Sequence, residues 1–220
     1  MPHIDSDAHL RISEIFFSLQ GETSRIGLPT VFIRLTGCPL RCTYCDTTYA
    51  YEEGIELSED EIVDKVKAIG IHTVEITGGE PLLRKEVFHL TERLLDDRYR
   101  VLIETNGSQD IRGIDERAVI ILDIKTPGSG MADTLLMSNL THLKPIDEVK
   151  FVITGREDYE WAKRFIGEHF LPGMCILHFS PASGLLDPQT LSKWMIDEKF
   201  EVRLNLQLHK YIYGADRRGV

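Results

Sequence analysis

At 220 residues, with 42% hydrophobic and 27% charged side chains, the chain has the make-up of a soluble globular protein able to bury one substantial core, and one domain over 1–220 is expected. A formal net charge of -10 leaves little positive potential for phosphates, which argues against a nucleic-acid partner. No apolar run reaches the roughly 20 residues that span a bilayer, and residues 1–11 lack a basic stretch followed by an apolar one, so no membrane partner and a cytoplasmic location are expected.

In chain order, an opening segment at 14–22 reads Glu-Ile-Phe-Phe-Ser-Leu-Gln-Gly-Glu, and the first β-branched run follows at 31–35. Ser58 with Glu61 three residues on is a capping box, opening a helix whose apolar face is Ile62, Val66 and Ile69. A strand at 73–77 leads to a second helical pattern from Pro81 through Val87, Leu90, Leu94 and Leu95. Strands are predicted at 101–104, 119–124, 148–153, 175–179 and 202–206, with helices at 157–168 and 188–198. The unit is βα repeated about six times, which implies a mainly parallel sheet. A full eight-fold barrel takes about 250 residues, so the expected fold class is α/β, an incomplete (partial) TIM-type βα barrel.

In such folds ligands sit at the carboxyl ends of the strands. Four motifs fall there: Cys38 after the first of these strands, Thr77-Gly78-Gly79-Glu80-Pro81 after the second, Glu104-Thr105-Asn106-Gly107 after the third, and Asp123-Ile124-Lys125 at the fourth. Cys38-Pro-Leu-Arg-Cys42-Thr-Tyr-Cys45 puts three of the four cysteines on one short loop, a pattern of metal binding and not of disulfides. Three thiolates can each hold one iron of a cubane cluster and leave a fourth iron open, and an open position suits catalysis where a closed ligand set suits structure. Zinc completed by His72 or His89 is the competing reading, without the paired spacing of zinc modules. Cys175 reads as a small buried hydrophobe.

The CxxxCxxC loop, with Tyr44 before its last cysteine, resembles the radical S-adenosylmethionine superfamily. The resemblance implies a 4Fe-4S cluster on Cys38, Cys42 and Cys45, S-adenosyl-L-methionine chelated to the open iron, and a 5′-deoxyadenosyl radical as the reactive species. It also implies a radical SAM fold, an electron-donating flavodoxin or ferredoxin, and a glycine-rich segment at Thr77 to Pro81 that meets the methionine end of the cofactor. Further features, spread over nearly the whole chain, resemble the 7-carboxy-7-deazaguanine synthase family. They are Leu19-Gln20-Gly21-Glu22, Arg34 inside an apolar strand, and Asp46-Thr47 directly after the last cysteine.

That second resemblance implies substrate contacts at Leu19, Gln20, Gly21, Glu22, Arg34 and Thr77. Gln20 both donates and accepts, as a pterin edge requires, and Arg34 offers a fork to a carboxylate. Cofactor contacts are implied at Tyr44, Cys45, Asp46, Gly79, Glu80, Asp123, Ile124, Lys125, Ser180, Pro181, Ala182 and Ser183. Asp123-Ile124-Lys125 stands where many members have Ser-Pro-Lys, so Lys125 is the firmest of that trio. Thr47 is implied as the protein ligand of Mg2+, which fills its octahedron with water and substrate oxygens. The reaction implied is that of a radical lyase turning 6-carboxy-5,6,7,8-tetrahydropterin into 7-carboxy-7-deazaguanine and ammonia in queuosine biosynthesis, by a homodimer. The rivals are a glycyl-radical enzyme activase with the same cysteine loop and a non-catalytic, metal-stabilised binding module, for which an open iron would have no use.

Overall fold

The computed structural model describes residues 9–170, 173–215 and 217–220; the first eight residues of the segment searched for a targeting signal lie outside them. The chain opens with an antiparallel pair, β1 (His9–Leu19) and β2 (Pro29–Leu35), and β3 (Ile55–Ser58) pairs with the far side of β1. Then come α1 (Glu59–Ile69), β4 (Thr73–Gly78), α2 (Glu86–Asp96), β5 (Arg100–Thr105), β6 (Val119–Ile124) and β7 (Glu148–Ile153). The rest is α3 (Arg156–His169), β8 (Ile176–Pro181), α4 (Pro188–Asp197), β9 (Arg203–Leu204) and α5 (Leu208–Tyr213). The strands form one sheet in the order β3-β1-β2-β4-β5-β6-β7-β8-β9, parallel from β2 to β9. From β2 on, spatial order follows chain order, as in a barrel, and β3 and β9 remain at the two edges, so the barrel is open.

The expected strands lie where the sequence puts them, the last shortened to two residues, while β1 and β3 add an antiparallel flank that the β-run pattern did not give. The crossovers after β5 and β6 are loops and 3-10 turns at Pro127–Ser129, Ala132–Thr134 and Met137–His142 instead of α-helices. Gly107, Gly113, Pro127, Gly128, Gly130 and Pro145 interrupt any helical run there. At α1 the capping box closes in both directions: Ser58 Oγ accepts from the Glu61 amide at 3.3 Å, and the Glu61 carboxylate accepts from the Ser58 amide at 2.8 Å. Gly70, at φ 77°, ends this helix in the left-handed conformation that glycine adopts without strain.

Side-chain alternation divides the sheet into two chemistries. Val31, Ile33, Leu35, Val74, Ile76, Val101, Ile103, Ile120, Leu122, Ile124, Val149, Phe151, Ile153 and Phe179 face the helices in one large core. The opposite face lines the barrel. Deep inside it Leu102, Val119 and Ile121 make a small separate apolar cluster, and above that cluster the inward positions turn polar: Arg34, Glu75, Thr77, Glu104, Asp123, Lys150 and Ser180 all line one cavity.

Candidate active site

The cavity holds about 640 Å3 and is walled by all three clustered cysteines together with the polar inner face. The cysteine loop leaves β2 and is pinned from several sides: Gly37 N donates to Ala50 O at 2.8 Å, Glu80 N to Gly37 O at 2.7 Å, and Thr43 Oγ1 to Gly128 O at 2.8 Å. The glycines after β4 make this possible. A Cβ on Gly79 would lie 2.1 Å from Gly37 O and 2.8 Å from the Cys38 Cβ, and one on Gly78, at φ 148°, 2.4 Å from Leu35 O. Their bare backbone thus lets the cysteine loop seat against β4.

Cys38, Cys42 and Cys45 are free and half-buried. Burial pushes the Cys38 and Cys42 thiols up, with the Lys125 cation acting in the opposite sense. Asn106 Nδ2 donates to Cys38 Sγ at 3.7 Å, the kind of contact that tunes a cluster sulfur. Among the described residues no three His, Cys, Asp or Glu side chains are arranged to hold a metal ion. Zinc is also unsupported by its candidate histidines: His72 lies 6.0 Å from the Tyr99 ring and His89 contacts Glu59 at 2.5 Å, neither lining the cavity. Three thiols spread along one loop and facing one cavity fit a cluster that offers a separate iron to each. Two buried polar atoms lining this space, Tyr44 OH and Asp123 Oδ1, lack a protein partner, which leaves room for a polar cofactor beside the thiols. Burial raises the Tyr44 phenol well above its ordinary value, so the hydroxyl stays a neutral donor.

The interior is organised around Lys150, which is 5% exposed and donates to Glu22 at 2.8 Å and Glu104 at 2.5 Å, with Asp123 3.4 Å away. Burial opposes its charge, but these three carboxylates outweigh burial and raise the ammonium well above the lysine range. Asp123 also meets Lys125 at 3.0 Å; burial would raise the carboxyl, and the two lysines hold it below its ordinary value instead. Glu75 differs. Burial and the nearby Glu104 push its carboxyl well up, and it accepts from Gln20 Nε2. Thr77 Oγ1 donates to Glu104 at 3.0 Å. Arg34 pairs through Nε with Glu14 at 2.8 Å and lies over the Phe16 ring at 5.7 Å, and Phe16 stacks on Phe32. Its outer nitrogens make no hydrogen bond among the described residues and are available to a ligand in the cavity.

Of the residues singled out in the sequence, Leu19, Gln20, Gly21, Glu22, Arg34, Thr77, Cys38, Cys42, Tyr44, Cys45, Asp46, Thr47, Gly79, Asp123, Lys125, Ser180, Pro181, Ala182 and Ser183 line this one cavity. The side chains of Glu80 and Ile124 do not. Glu80 is turned inward to cap the next turn, accepting from Thr105 Oγ1 at 2.8 Å, Asn106 N at 2.7 Å and Leu82 N at 3.0 Å. Ile124 sits one residue out of phase with Asp123 and belongs to the helix-facing core. Gln20 has Nε2 committed to Glu75 and Oε1 to the Glu22 amide at 2.9 Å, so one N–H and one lone pair remain. Thr47 Oγ1 donates to Asp46 at 3.0 Å, which keeps its lone pairs open. Asp46 in turn takes Lys210 at 2.5 Å; crowding would raise this carboxyl, but Lys210 holds it well below the carboxylate range.

Glu104 and Asn106, from the strand-end motif at 104–107, also line the cavity, as do Glu75, Lys150, Gln207, His209 and Lys210, to which the sequence assigned no site role. For Glu75, Glu104 and Lys150 a signal existed, since each is a charged residue alternating with β-branched ones inside a strand. His209 packs so tightly on Gly21 that a Cβ there would lie 2.0 Å from its Nδ1. Cys175 lies half-buried against the main core, its thiol pushed up to about 12 by burial.

The sequence profile of the Radical SAM superfamily matches residues 32–167, and the chain belongs to that superfamily. Within it the relatives are specific. A 7-carboxy-7-deazaguanine synthase of Chlorobaculum tepidum is 44% identical, covering 99% of this chain and 100% of the relative, and one of Koribacter versatilis is 42% identical, covering 96% and 100%. The chain is a member of the 7-carboxy-7-deazaguanine synthase family. The crystal structure of QueE from Escherichia coli superposes with a TM-score of 0.77 at 25% identity, covering 91% of this chain and 95% of that one. Streptococcus suis SuiB bound to S-adenosylmethionine shares the fold at 17% identity, with a TM-score of 0.54 over 77% of this chain and 44% of that one.

Proposed function

We infer that the chain converts 6-carboxy-5,6,7,8-tetrahydropterin into 7-carboxy-7-deazaguanine and ammonia, a carbon–nitrogen lyase step in 7-deazapurine (queuosine) biosynthesis. The observation that carries this reading is the meeting, in one cavity, of a three-thiol loop with an arginine fork and a row of carboxylates. Cys38, Cys42 and Cys45 would hold the 4Fe-4S cluster, and Tyr44, Asp46, Gly79, Asp123, Lys125 and 180–183 the S-adenosylmethionine. When bound, the two together supply a carbon-centred radical that removes and returns a hydrogen atom.

The remaining roles belong to the chain's own residues. Arg34, held by Glu14 and Phe16, presents its free nitrogens to the substrate carboxylate. Gln20 offers its remaining N–H and lone pair to the amide edge of the pterin, with Leu19, Gly21 and Thr77 beside it. Glu22 and Glu104, both paired with Lys150, accept from the pterin N–H groups. The Thr47 hydroxyl, beside an Asp46 held in its charged form, would supply a protein oxygen to Mg2+, which would act there as a Lewis acid toward the substrate.

The chain acts as one domain, a reading supported by its single continuous sheet. It works as a homodimer in the cytoplasm, fed by a flavodoxin or ferredoxin, which suits four free cysteines. No helix among the described residues is long and apolar enough to cross a membrane.

The test is anaerobic incubation of reconstituted, reduced protein with S-adenosylmethionine, Mg2+ and 6-carboxytetrahydropterin, with product followed by mass and ultraviolet absorbance. Deazaguanine acid forms without stoichiometric loss of S-adenosylmethionine. Accumulation of 5′-deoxyadenosine without it would turn the reading to a glycyl-radical activase. Cys42→Ala abolishes iron binding and turnover, whereas Thr47→Ala keeps the iron and loses the response to Mg2+; an unchanged Mg2+ response removes Thr47 from the ligand set.

A further inference from the structure

The residues at 20–28 join β1 to β2, and such a connection is ordinarily a mobile surface loop. Here it is fastened to the other side of the open barrel. Glu148, the first residue of β7, is fully buried, and its carboxylate accepts from the Ser24 amide at 2.8 Å, from Ser24 Oγ at 2.7 Å and from Arg25 Nη1, with His178 Nε2 2.6 Å away. One residue earlier Thr23 N donates to Asn205 Oδ1 at 2.7 Å, and Leu208 N donates to Gly21 O at 2.8 Å. Thr23 has φ 68°, a conformation that a β-branched residue keeps only where its surroundings impose it.

We propose that Glu148 is a positioning residue: a latch that pins 23–25 across the open side of the barrel and so fixes Gln20 and Glu22 where they meet substrate. The proposal rests on the function inferred above for Gln20 and Glu22. Glu148 lies two residues before Lys150 on the same inner face of β7, toward the start of the strand, whereas the cysteine loop sits at the carboxyl ends. Glu148 itself is not among the residues that line the cavity. Stability alone does not call for this arrangement, because a buried ion pair is commonly matched or bettered by apolar side chains of similar size. What the carboxylate adds is direction: it accepts at once from two residues of the loop and from β8. Without it residues 23–25 would keep the Thr23 bond to Asn205, and Gln20 and Glu22 would depend on their own contacts with Glu75, Lys150 and Gln207 for their aim, on a turn no longer fastened at Ser24 and Arg25.

The test is the double variant Ser24→Ala, Arg25→Met in the reconstituted holoenzyme, which leaves Glu148 and His178 paired inside the barrel. KM for the pterin is expected to rise about tenfold, in line with the loss of charge-assisted hydrogen bonds, with kcat, iron content and S-adenosylmethionine affinity close to wild type. Amide hydrogen exchange at 20–28, measured without substrate, is expected to speed up by a similar factor. Glu148→Gln should move both readouts the same way, and serves alone if the double variant does not fold. Wild-type KM and wild-type exchange at 20–28, even with a lowered melting temperature, would overturn the latch. So would an equal loss of S-adenosylmethionine affinity, which would signal general loosening. A wild-type enzyme that makes no deazaguanine would instead sink the proposed function, and the exchange result would still decide whether the latch holds the loop.

Discussion

The strands β4 to β8 carry two different kinds of order on their two faces. Toward the helices, Val74, Ile103, Leu122, Val149 and Phe151 fill a continuous apolar core whose parts are interchangeable within limits of volume. Toward the barrel axis the same strands, one residue out of phase, present Glu75, Glu104, Asp123 and Lys150, where each side chain is specified by its partner. Apolar packing tolerates small errors, whereas a buried charge without its partner is costly at once. The inner face is therefore where function sets the sequence, and the outer face is where folding sets it.

The largest break in this contrast comes from Lys150→Met. It leaves Glu22, Glu104 and Asp123 together without their shared cation, and truncating one member of a buried charge network costs about 3–5 kcal/mol. In the wild type the depressed Glu22 and Asp123 carboxyls contribute stability that is present above about pH 4 and lost as pH falls through their lowered folded values. The raised Lys150 contribution is complete at neutral pH and lost only in strong alkali, as pH rises through its folded value. Removing the lysine reverses the acid limb: Glu22 and Asp123 lose the cation that lowers them, their folded values rise, and the deficit relative to wild type is largest at pH 8 and shrinks toward pH 5. Urea midpoints at the two pH values check this, and an equal deficit at both would mean that Lys150 matters for packing alone.

The position of that lysine also shows what a sequence can carry. The cysteine loop is legible because its information is local, three thiols within eight residues. The strands from β4 on are legible too, with β2, though β1 and β3 are not, and α1 is legible because its capping box depends on residues three apart. Lys150 and Glu104 are 46 residues apart, and what joins them is the register of β6 against β5 and β7, which no local pattern states. Ile124 shows the reverse error. Alignment by motif places it with Asp123 and Lys125, yet alternation along β6 sends its side chain into the helix-facing core. The same rule, applied to every strand, would have singled out Glu75 and Lys150 as inward-facing charges in need of partners.

A smaller effect, of opposite sign, is expected at Glu75. Burial and Glu104 raise its carboxyl well above the usual range, so its contribution is complete below the unfolded value and is lost as pH rises through the folded one. Glu75→Gln keeps an acceptor for Gln20 Nε2 but has no charge to desolvate. The variant should therefore be more stable than wild type at pH 8, by on the order of 1–2 kcal/mol, and equal to it at pH 4. Melting temperatures across that range check the prediction. A variant less stable at pH 8 would mean that the wild-type carboxylate is charged and held by partners, against the raised value.

The smallest effect belongs to the outer face. Ile103 is fully buried among the helix-facing residues, one position from Glu104. Ile103→Val removes one methylene and leaves a small void, a loss of about 1 kcal/mol, and because no charge is involved the loss should be the same at pH 5 and pH 8. The strand keeps its register, since alternation and the ladder to β4 and β6 do not depend on that methylene. Glu104 therefore stays on Lys150 and Thr77, and kcat/KM for the pterin should remain within about twofold of wild type, less than a 1 kcal/mol change in the barrier. A larger fall in kcat/KM with a pH-independent loss of stability would show that the outer core transmits strain through β5 into the site, and that the two faces are one mechanical unit.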